Sequence, residues 1–548
     1  MAVSSPKRKN VWSLAGGLSA ALILGLLLGA GNAANNQAPP VEVQVSPHHV
    51  LHKVPNNAIG INASTYDRDL LYSRLPRLLR NIGIRLIRFP GGTESDRYNW
   101  ATNTDVITNQ KEAVDFNQFM KLVRKTHAQP MITVNYGTGS VIGTKTHQSG
   151  AQIAADWVYY ANVLHHYNVK YWEIGNEVYG NGTYGANWEP DAHCQISSGG
   201  SPVSLGNEPQ STYGCGPETY ANNVKRYIAA MKKVDPRISV GVVLTAAGAP
   251  NNWPNGLTNS QSPQSWNQMV LQDLGSEIGF ADIHWYPQNP SNVSPPGPGD
   301  QILLASTAQI PNAVKTMQTE LRDWAHNSHI PIMVTETNSV SSNPGKQTLS
   351  VVNALFLNQD YLGWLENGVS NVDWWQIHNG IGTTGDNGNA NSLGQPISGD
   401  TEYGDYGVLS NGSCGITPSG STVCEPPAET PFSSYYGLMM LSLFIHPGDV
   451  FLSASSSQSL VQAYAVRTET GNIRLLLIND SPSTAYHVDV SIPGYLSFGQ
   501  ALLQYGPNPA GLTRSYGPEA RAKESTLAPY SMISYTLRAG HFQPRGQG

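Results

Sequence analysis

An α/β fold, a (β/α)8 TIM barrel followed by a C-terminal all-β sandwich domain, is the class this sequence predicts, and three observations predict it. Short apolar runs alternate with amphipathic stretches eight times between about residues 55 and 441, the pattern of a closed parallel sheet wrapped in helices. Some of these runs stop abruptly at polar residues, as in Tyr171-Trp172-Glu173-Ile174-Gly175-Asn176-Glu177 and Ile332-Met333-Val334-Thr335-Glu336. Strands of a parallel barrel end this way at the face that carries function. After about Ser442 the character changes to short strand-like segments separated by Gly, Asn and Pro turns, as in a β-sandwich.

Taken in order, residues 1–33 read as a signal peptide. Lys7-Arg8-Lys9 precedes an apolar run from Leu14 to Ala30, and Gly31-Asn32-Ala33 offers small residues for cleavage. This predicts a secreted, extracellular protein. The competing reading is an uncleaved N-terminal membrane anchor, because the run approaches the ~20 residues that span a bilayer. Residues 34–54 are a polar linker, Asn35 to Pro40, and an alternating strand, Val41 to Val45.

The barrel is expected over 55–441, with strands at residues 59–62, 84–89, 130–136, 171–177, 238–244, 280–286, 332–336 and 372–377. Helices are expected at residues 69–81, 116–127, 152–167, 217–234, 306–326 and 347–366, each on a 3.6-residue apolar period. The sandwich, 442–548, is anchored by runs at 460–466, 473–478, 486–490 and 531–537.

Composition excludes several classes of function. Charged residues are 13% of the chain, about half the usual quarter. The net charge is −6 with no basic cluster beyond the first ten residues, which argues against nucleic acid as a partner. Four cysteines, Cys194, Cys215, Cys414 and Cys424, lie in loop-like sequence. Of their three possible connectivities, Cys194 with Cys215 and Cys414 with Cys424 closes two short loops. No C-x-x-C or nearby His pair offers metal-ligand spacing, and no glycine motif cradles a phosphate, so neither metal nor cofactor is expected.

The candidate catalytic residues are Glu177 and Glu336, one as acid and one as nucleophile, since two strand-end carboxylates facing one barrel mouth suit glycosidic bond cleavage. A strand-end Glu alone is commonly just solvated; the pair, each in a polar and aromatic setting, is not explained that way. Arg88 ends the second strand before the tight turn Pro90-Gly91-Gly92 and is expected to keep Glu336 ionised. Asn176 is expected to meet the sugar hydroxyl beside the reacting carbon. Of Trp374 and Trp375, alternation sends one to the core and one to the mouth; Trp375 is chosen as the sugar platform. Asn135, Tyr136 and Tyr179 sit on neighbouring tips, and His378 follows the last strand.

Trp172-Glu173-Ile174-Gly175-Asn176-Glu177, Ile87-Arg88-Phe89-Pro90-Gly91-Gly92 and Thr335-Glu336-Thr337-Asn338 resemble the clan A retaining glycoside hydrolases, family 51 α-L-arabinofuranosidases in particular, with families 39 and 79 also similar. The resemblance covers roughly residues 55–540 in outline and is specific at these strand ends. It implies Glu177 as general acid/base and Glu336 as nucleophile, with Arg88 approaching the nucleophile. It also implies that Tyr286 donates a hydrogen bond to Glu336, that His284 lines the same pocket, and that the Val41 strand joins the C-terminal β-domain. One departure stands out: family 51 enzymes bind the sugar with an acidic residue from the first strand-loop region, where this chain has Asn62-Ala63-Ser64. The expectation is therefore a secreted retaining glycosidase acting on carbohydrate, first an α-L-arabinofuranosidase. The alternatives are a β-glucuronidase, β-xylosidase or endo-glycanase, or a non-catalytic carbohydrate-binding protein.

Overall fold

The computed structural model describes residues 40–136, 150–180, 195–196, 202–203, 217–246, 266–288, 299–383, 403–492, 495–496, 502–505, 513–515 and 525–539. The signal or anchor segment 1–33, the linker before Pro40, the Cys194–Cys215 pairing and most of the insertion after Gly180 lie outside the described residues. Among those described, no helix is long and apolar enough to cross a membrane.

Eight parallel strands close into a barrel. In chain order, strands one to eight are Ile59–Asn62, Leu86–Phe89, Gln129–Val134, Tyr171–Ile174, Ser239–Thr245, Phe280–Trp285, Ile332–Thr337 and Asn371–Trp374, and the eighth returns to pair Val372 with Ile59. Nearly every residue in them is buried, as expected of a parallel sheet with helices outside and a filled lumen inside. The N-terminal end of the lumen is plugged by Leu86, Met131, Phe280 and Met333, with Tyr171 against them. One pleat further on, the same strands present Arg88, Thr133, Glu173, Asp282 and Thr335, all buried, because side chains two apart share a face. Strand eight adds Asp373. A Cβ on Gly60 of strand one would come within 1.6 Å of Asp373 Oδ1, so this position has no room for a side chain. A polar, charged storey thus sits directly beneath the barrel mouth.

The helices depart from expectation where local chemistry breaks them. The stretch 69–81 is a 3-10 turn, Arg68–Leu71, capped by Asp67, then a helix, Leu75–Asn81, with proline in its first turn; Pro76 has no N–H to continue the earlier turn. The stretch 152–167 is a helix, Gly150–Val158, that widens into a π-turn, Tyr159–Leu164. The stretch 306–326 begins earlier, as Asp300–Ser306, and resumes as Ile310–Asp323 with proline again in the first turn. Trp266–Leu274 was not expected as a helix. Ser433–Phe444 runs across the expected domain boundary at 441/442. It is apolar nearly all round and buried against the helix Val351–Glu366, where the Asn358 amide donates to Gly437 O at 3.0 Å, so it shows no amphipathic stripe.

The C-terminal region supplies all but one strand of a ten-stranded sheet. Strand Val41–Lys53 enters it between Val450–Ser456, antiparallel, and Tyr486–Ser491, parallel. Val43, Val45, Leu475, Leu477, Ile533 and Tyr535 enclose a separate core. Their neighbours Leu476, Ile478 and Met532 point the other way and join the barrel core. That double burial is why Leu475–Ile478 is apolar without a break. Polar contacts clamp the junction: Gln359 Nε2 donates to Asp480 Oδ1 at 2.8 Å and the Tyr530 hydroxyl to Asp300 Oδ2 at 3.0 Å. Cys414 and Cys424 form a disulfide across a short hairpin.

Candidate active site

Beyond strand four the chain turns at Gly175, and Glu177 takes a left-handed backbone, φ 47°. For a residue with a Cβ this costs about 1 kcal/mol, and it aims the carboxylate across the mouth. Strand seven solves a different problem. Met333 and Thr335 face the lumen, so simple alternation would turn Glu336 outward. Against strand six, however, Val334 pairs with Ile283 and Glu336 with His284. One extra residue is accommodated, and this bulge re-aims Glu336 inward beside Thr335.

The result is a compact cluster. Glu177, His284 and Glu336 each bring a donor atom within 4.8 Å of the others. Nδ1 of His284 lies 2.9 Å from Glu177 Oε1 and 3.7 Å from Glu336 Oε2. Tyr286 donates to Glu336 Oε1 at 2.5 Å, and Tyr179 donates to Glu177 Oε1 at 3.3 Å. Arg88 is fully buried and makes five bonds: Nε and Nη2 to Glu173 at 2.8 and 2.7 Å, Nη2 to Asn176 Oδ1 at 2.9 Å, and Nη1 to Asn62 Oδ1 at 2.9 Å and Glu336 Oε2 at 3.2 Å.

Electrostatics follow from this packing. Burial alone would lower the His284 pKa, but Glu336, Glu177 and Asp282 together raise it to about 9, so the ring is an imidazolium at neutral pH. Burial pushes the Glu336 carboxyl above its ordinary value, with Glu177 adding to this and His284, Arg88 and Tyr286 opposing it. Arg88 reaches Glu336 and favours its charged form, as expected, but its principal partner is Glu173. Burial opposes the Glu173 charge, yet Arg88 holds its pKa below the ordinary value. Burial and the adjacent Glu173 push Asp282 well up.

Other expected residues are distributed unevenly. Trp375 stands half-buried in the mouth over Gly92, where an added Cβ would meet its ring at 2.6 Å; Trp374 is buried against Phe356 and Tyr361. The amide of Asn176 receives Arg88. Asn135, expected to bind substrate, donates its amide to Tyr98 O at 3.1 Å. Tyr136 is packed edge-on against Tyr220. His378 lies off the cluster, with Nδ1 2.8 Å from Asp67 and Nε2 3.4 Å from Glu429, clipping the loop after strand eight to the loop after strand one. Glu173, Asp282 and Asp373 were missed. Their signal was available: each lies two residues before Gly175, His284 or Trp375 and so shares their face.

Among the described residues, two triads have cation-ligand proximity, Glu177-His284-Glu336 and Glu173-Asp282-His284. Arg88 pairs with one acid of each, Glu336 and Glu173.

In sequence, the chain is 24% identical over 271 residues to the α-L-arabinofuranosidase C of Emericella nidulans, covering 44% of this chain and 46% of that one. It is 24% identical over 243 residues to intracellular exo-α-(1→5)-L-arabinofuranosidase 1 of Bacillus subtilis, covering 42% of each. The chain spans about half the length of the curated relatives it matches. No family model matches it. In structure, the α-L-arabinofuranosidase of Thermotoga maritima, solved as an arabinose complex, aligns with 91% of this chain and 100% of its own at TM-score 0.60 and 16% identity. A family 44 xyloglucanase of Paenibacillus polymyxa aligns with 91% and 99% at TM-score 0.59 and 11% identity. The fold is therefore that of these hydrolases, and the sequence resembles the family 51 arabinofuranosidases.

Proposed function

We propose that this chain is a secreted retaining glycoside hydrolase whose first substrate class is α-L-arabinofuranosides. The observation that carries the reading is the approach of a Glu177 oxygen to within 4.8 Å of a Glu336 oxygen. Retaining enzymes hold their carboxyls about 5–5.5 Å apart and inverting ones about 6.5–9.5 Å, to admit a water. Glu336, steadied by Tyr286 and one arm of Arg88, attacks the anomeric carbon. Glu177 protonates the leaving oxygen, and its new charge is met by the His284 imidazolium. Glu177 then takes a proton from the water that releases the sugar from Glu336. Asn176, its carbonyl fixed by Arg88, turns its NH2 toward the hydroxyl next to the reacting carbon, and Trp375 offers a ring face to the sugar.

The sequence relatives support arabinofuranose. A second reading, another specificity on the same machinery such as β-xylosidase, β-glucuronidase or endo-glycanase, is favoured by strand one. Asn62 ends it, with Oδ1 taken by Arg88 and Nδ2 donating to Thr335 O at 2.9 Å, where an acid would otherwise hold the sugar. A panel of aryl glycosides followed by proton NMR in the first minutes separates the readings. Turnover of the α-L-arabinofuranoside with first product of unchanged anomeric configuration is expected. Turnover of another glycoside alone moves the specificity, an inverted first product overturns the mechanism, and binding without turnover leaves a carbohydrate-binding protein.

A further inference from the structure

Arg88 has five N–H donors, and the structure accounts for all of them with five bonds, only one of which reaches Glu336, at 3.2 Å, the longest of the set. Glu173 takes two, in the parallel fork geometry that gives guanidinium–carboxylate pairs their strength, and is fixed from its other side by the Thr133 hydroxyl at 3.0 Å. We propose that Glu173 is a positioning residue of the reaction: by holding Arg88 in a two-bond fork it restricts the nucleophile to a single guanidinium contact and so keeps Glu336 a reactive, weakly neutralised carboxylate. The proposal rests on the glycosidase reading for its meaning, though not for its test.

The groups facing Glu336 are Arg88 from strand two, Glu94 from the loop behind it, Glu177 beyond strand four, His284 of strand six, Tyr286 just past its end, and Tyr406. Those facing Glu173 are Arg88, His284, Asp282 and Asp373. Without Glu173, the charge of Arg88 would fall chiefly on Glu336. A fully paired nucleophile would ionise more readily and attack less well, since hydrogen bonds and opposite charge stabilise the carboxylate that must be consumed.

Asp282 is the proton-bearing member of the lower storey. A side-chain hydrogen bond joins it to Glu173, its Oδ1 accepts from the Thr335 hydroxyl, and Nε2 of His284 stands off at 4.0 Å. No cation makes a hydrogen bond with it, and two anions so close in a dry lumen would repel strongly. Glu173 carries the charge and Asp282 the proton, in keeping with the opposite directions of their pKa values.

The test is the titration of Glu336 in the substrate-free protein, read from side-chain carboxyl 13C shifts and assigned by comparison with Glu336→Gln. Glu173→Gln keeps an oxygen toward Arg88 and removes the charge. It is expected to move the Glu336 titration, and the acid limb of kcat/KM with it, down by roughly one pH unit, with kcat lowered. A folded variant, checked by circular dichroism, whose Glu336 titrates unchanged overturns the proposal. Asp282→Asn, which mimics a carboxyl already neutral, is expected to leave that titration in place. A downward move there assigns the charge to Asp282 and overturns the proposal even if Glu173→Gln fails to fold. If the protein turned over no glycoside, the function would fall while the titration still reported on Glu173.

Discussion

Nδ1 of His284 lies 2.9 Å from Oε1 of Glu177, and the same nitrogen is 3.7 Å from Oε2 of Glu336. One imidazolium therefore stands between the two carboxyls and opposes the upward push of burial on Glu336. In the proposed reaction a negative charge passes from Glu336 to Glu177 and back, and a fixed cation between them would stabilise both ends without moving.

His284→Gln removes that cation. Glu336 should then hold its proton more firmly, so the acid limb of kcat/KM should move to higher pH, opposite in sign to the move expected for Glu173→Gln. A pH–rate profile with kcat down by roughly 10²-fold is the expected outcome. An unmoved acid limb would show that His284 only fills space.

Glu336→Gly should lose nearly all turnover, since no covalent intermediate can form. Glu177→Ala should lose about 10²- to 10⁴-fold on substrates with poor leaving groups and much less on activated aryl glycosides, with azide restoring turnover. Steady-state rates with leaving groups of graded acidity check this, and equal losses across the series would remove Glu177 from its role.

Arg88→Lys keeps the charge and loses the fork. Lysine has three donors against five, so it cannot serve Glu173, Asn62, Asn176 and Glu336 together. The variant should be destabilised by about 3–5 kcal/mol and nearly inactive. Denaturant unfolding gives the first and initial rates the second.

Gly92→Ala places a Cβ 2.6 Å from Cη2 of Trp375 at a backbone φ of 48°. The indole must tilt, and the sugar platform goes with it. KM should rise by roughly 10-fold, about 1.4 kcal/mol, with a smaller change in kcat, accompanied by altered tryptophan fluorescence. An unchanged KM would take Trp375 out of the binding site.

Stability should fall as pH rises. Burial raises Asp360 to about 8, Asp480 to about 7 and Glu366 to about 7. Asp67 and Glu429 raise His378 to about 9 against burial, which alone would lower it. Each group binds its proton more tightly folded than unfolded. Their stabilisation is complete below the unfolded values, near pH 4 for the carboxyls and 6.5 for His378, and is lost as pH rises through the folded ones. The thermal midpoint should therefore drop between about pH 4 and 9, and Asp360→Asn should flatten part of that drop. A midpoint that climbs through this range would contradict the burial of these acids.

Much was legible in the sequence because it depends on periods. Alternating runs and amphipathic stretches specified the barrel and a C-terminal all-β domain, since a strand buried on both faces is apolar throughout and a chain of eight such units has few ways to close. The strand-end pairs specified Glu177 and Arg88 for the same reason: strands end where the core ends. Tertiary structure alone decided the rest. The slip between Ile283 and His284 turned Glu336 inward, and register belongs to two strands at once. Glu173 and Asp282 were hidden because a charged residue inside an apolar run is meaningful only when its partner, Arg88 from 85 residues earlier for Glu173, comes across the lumen to meet it.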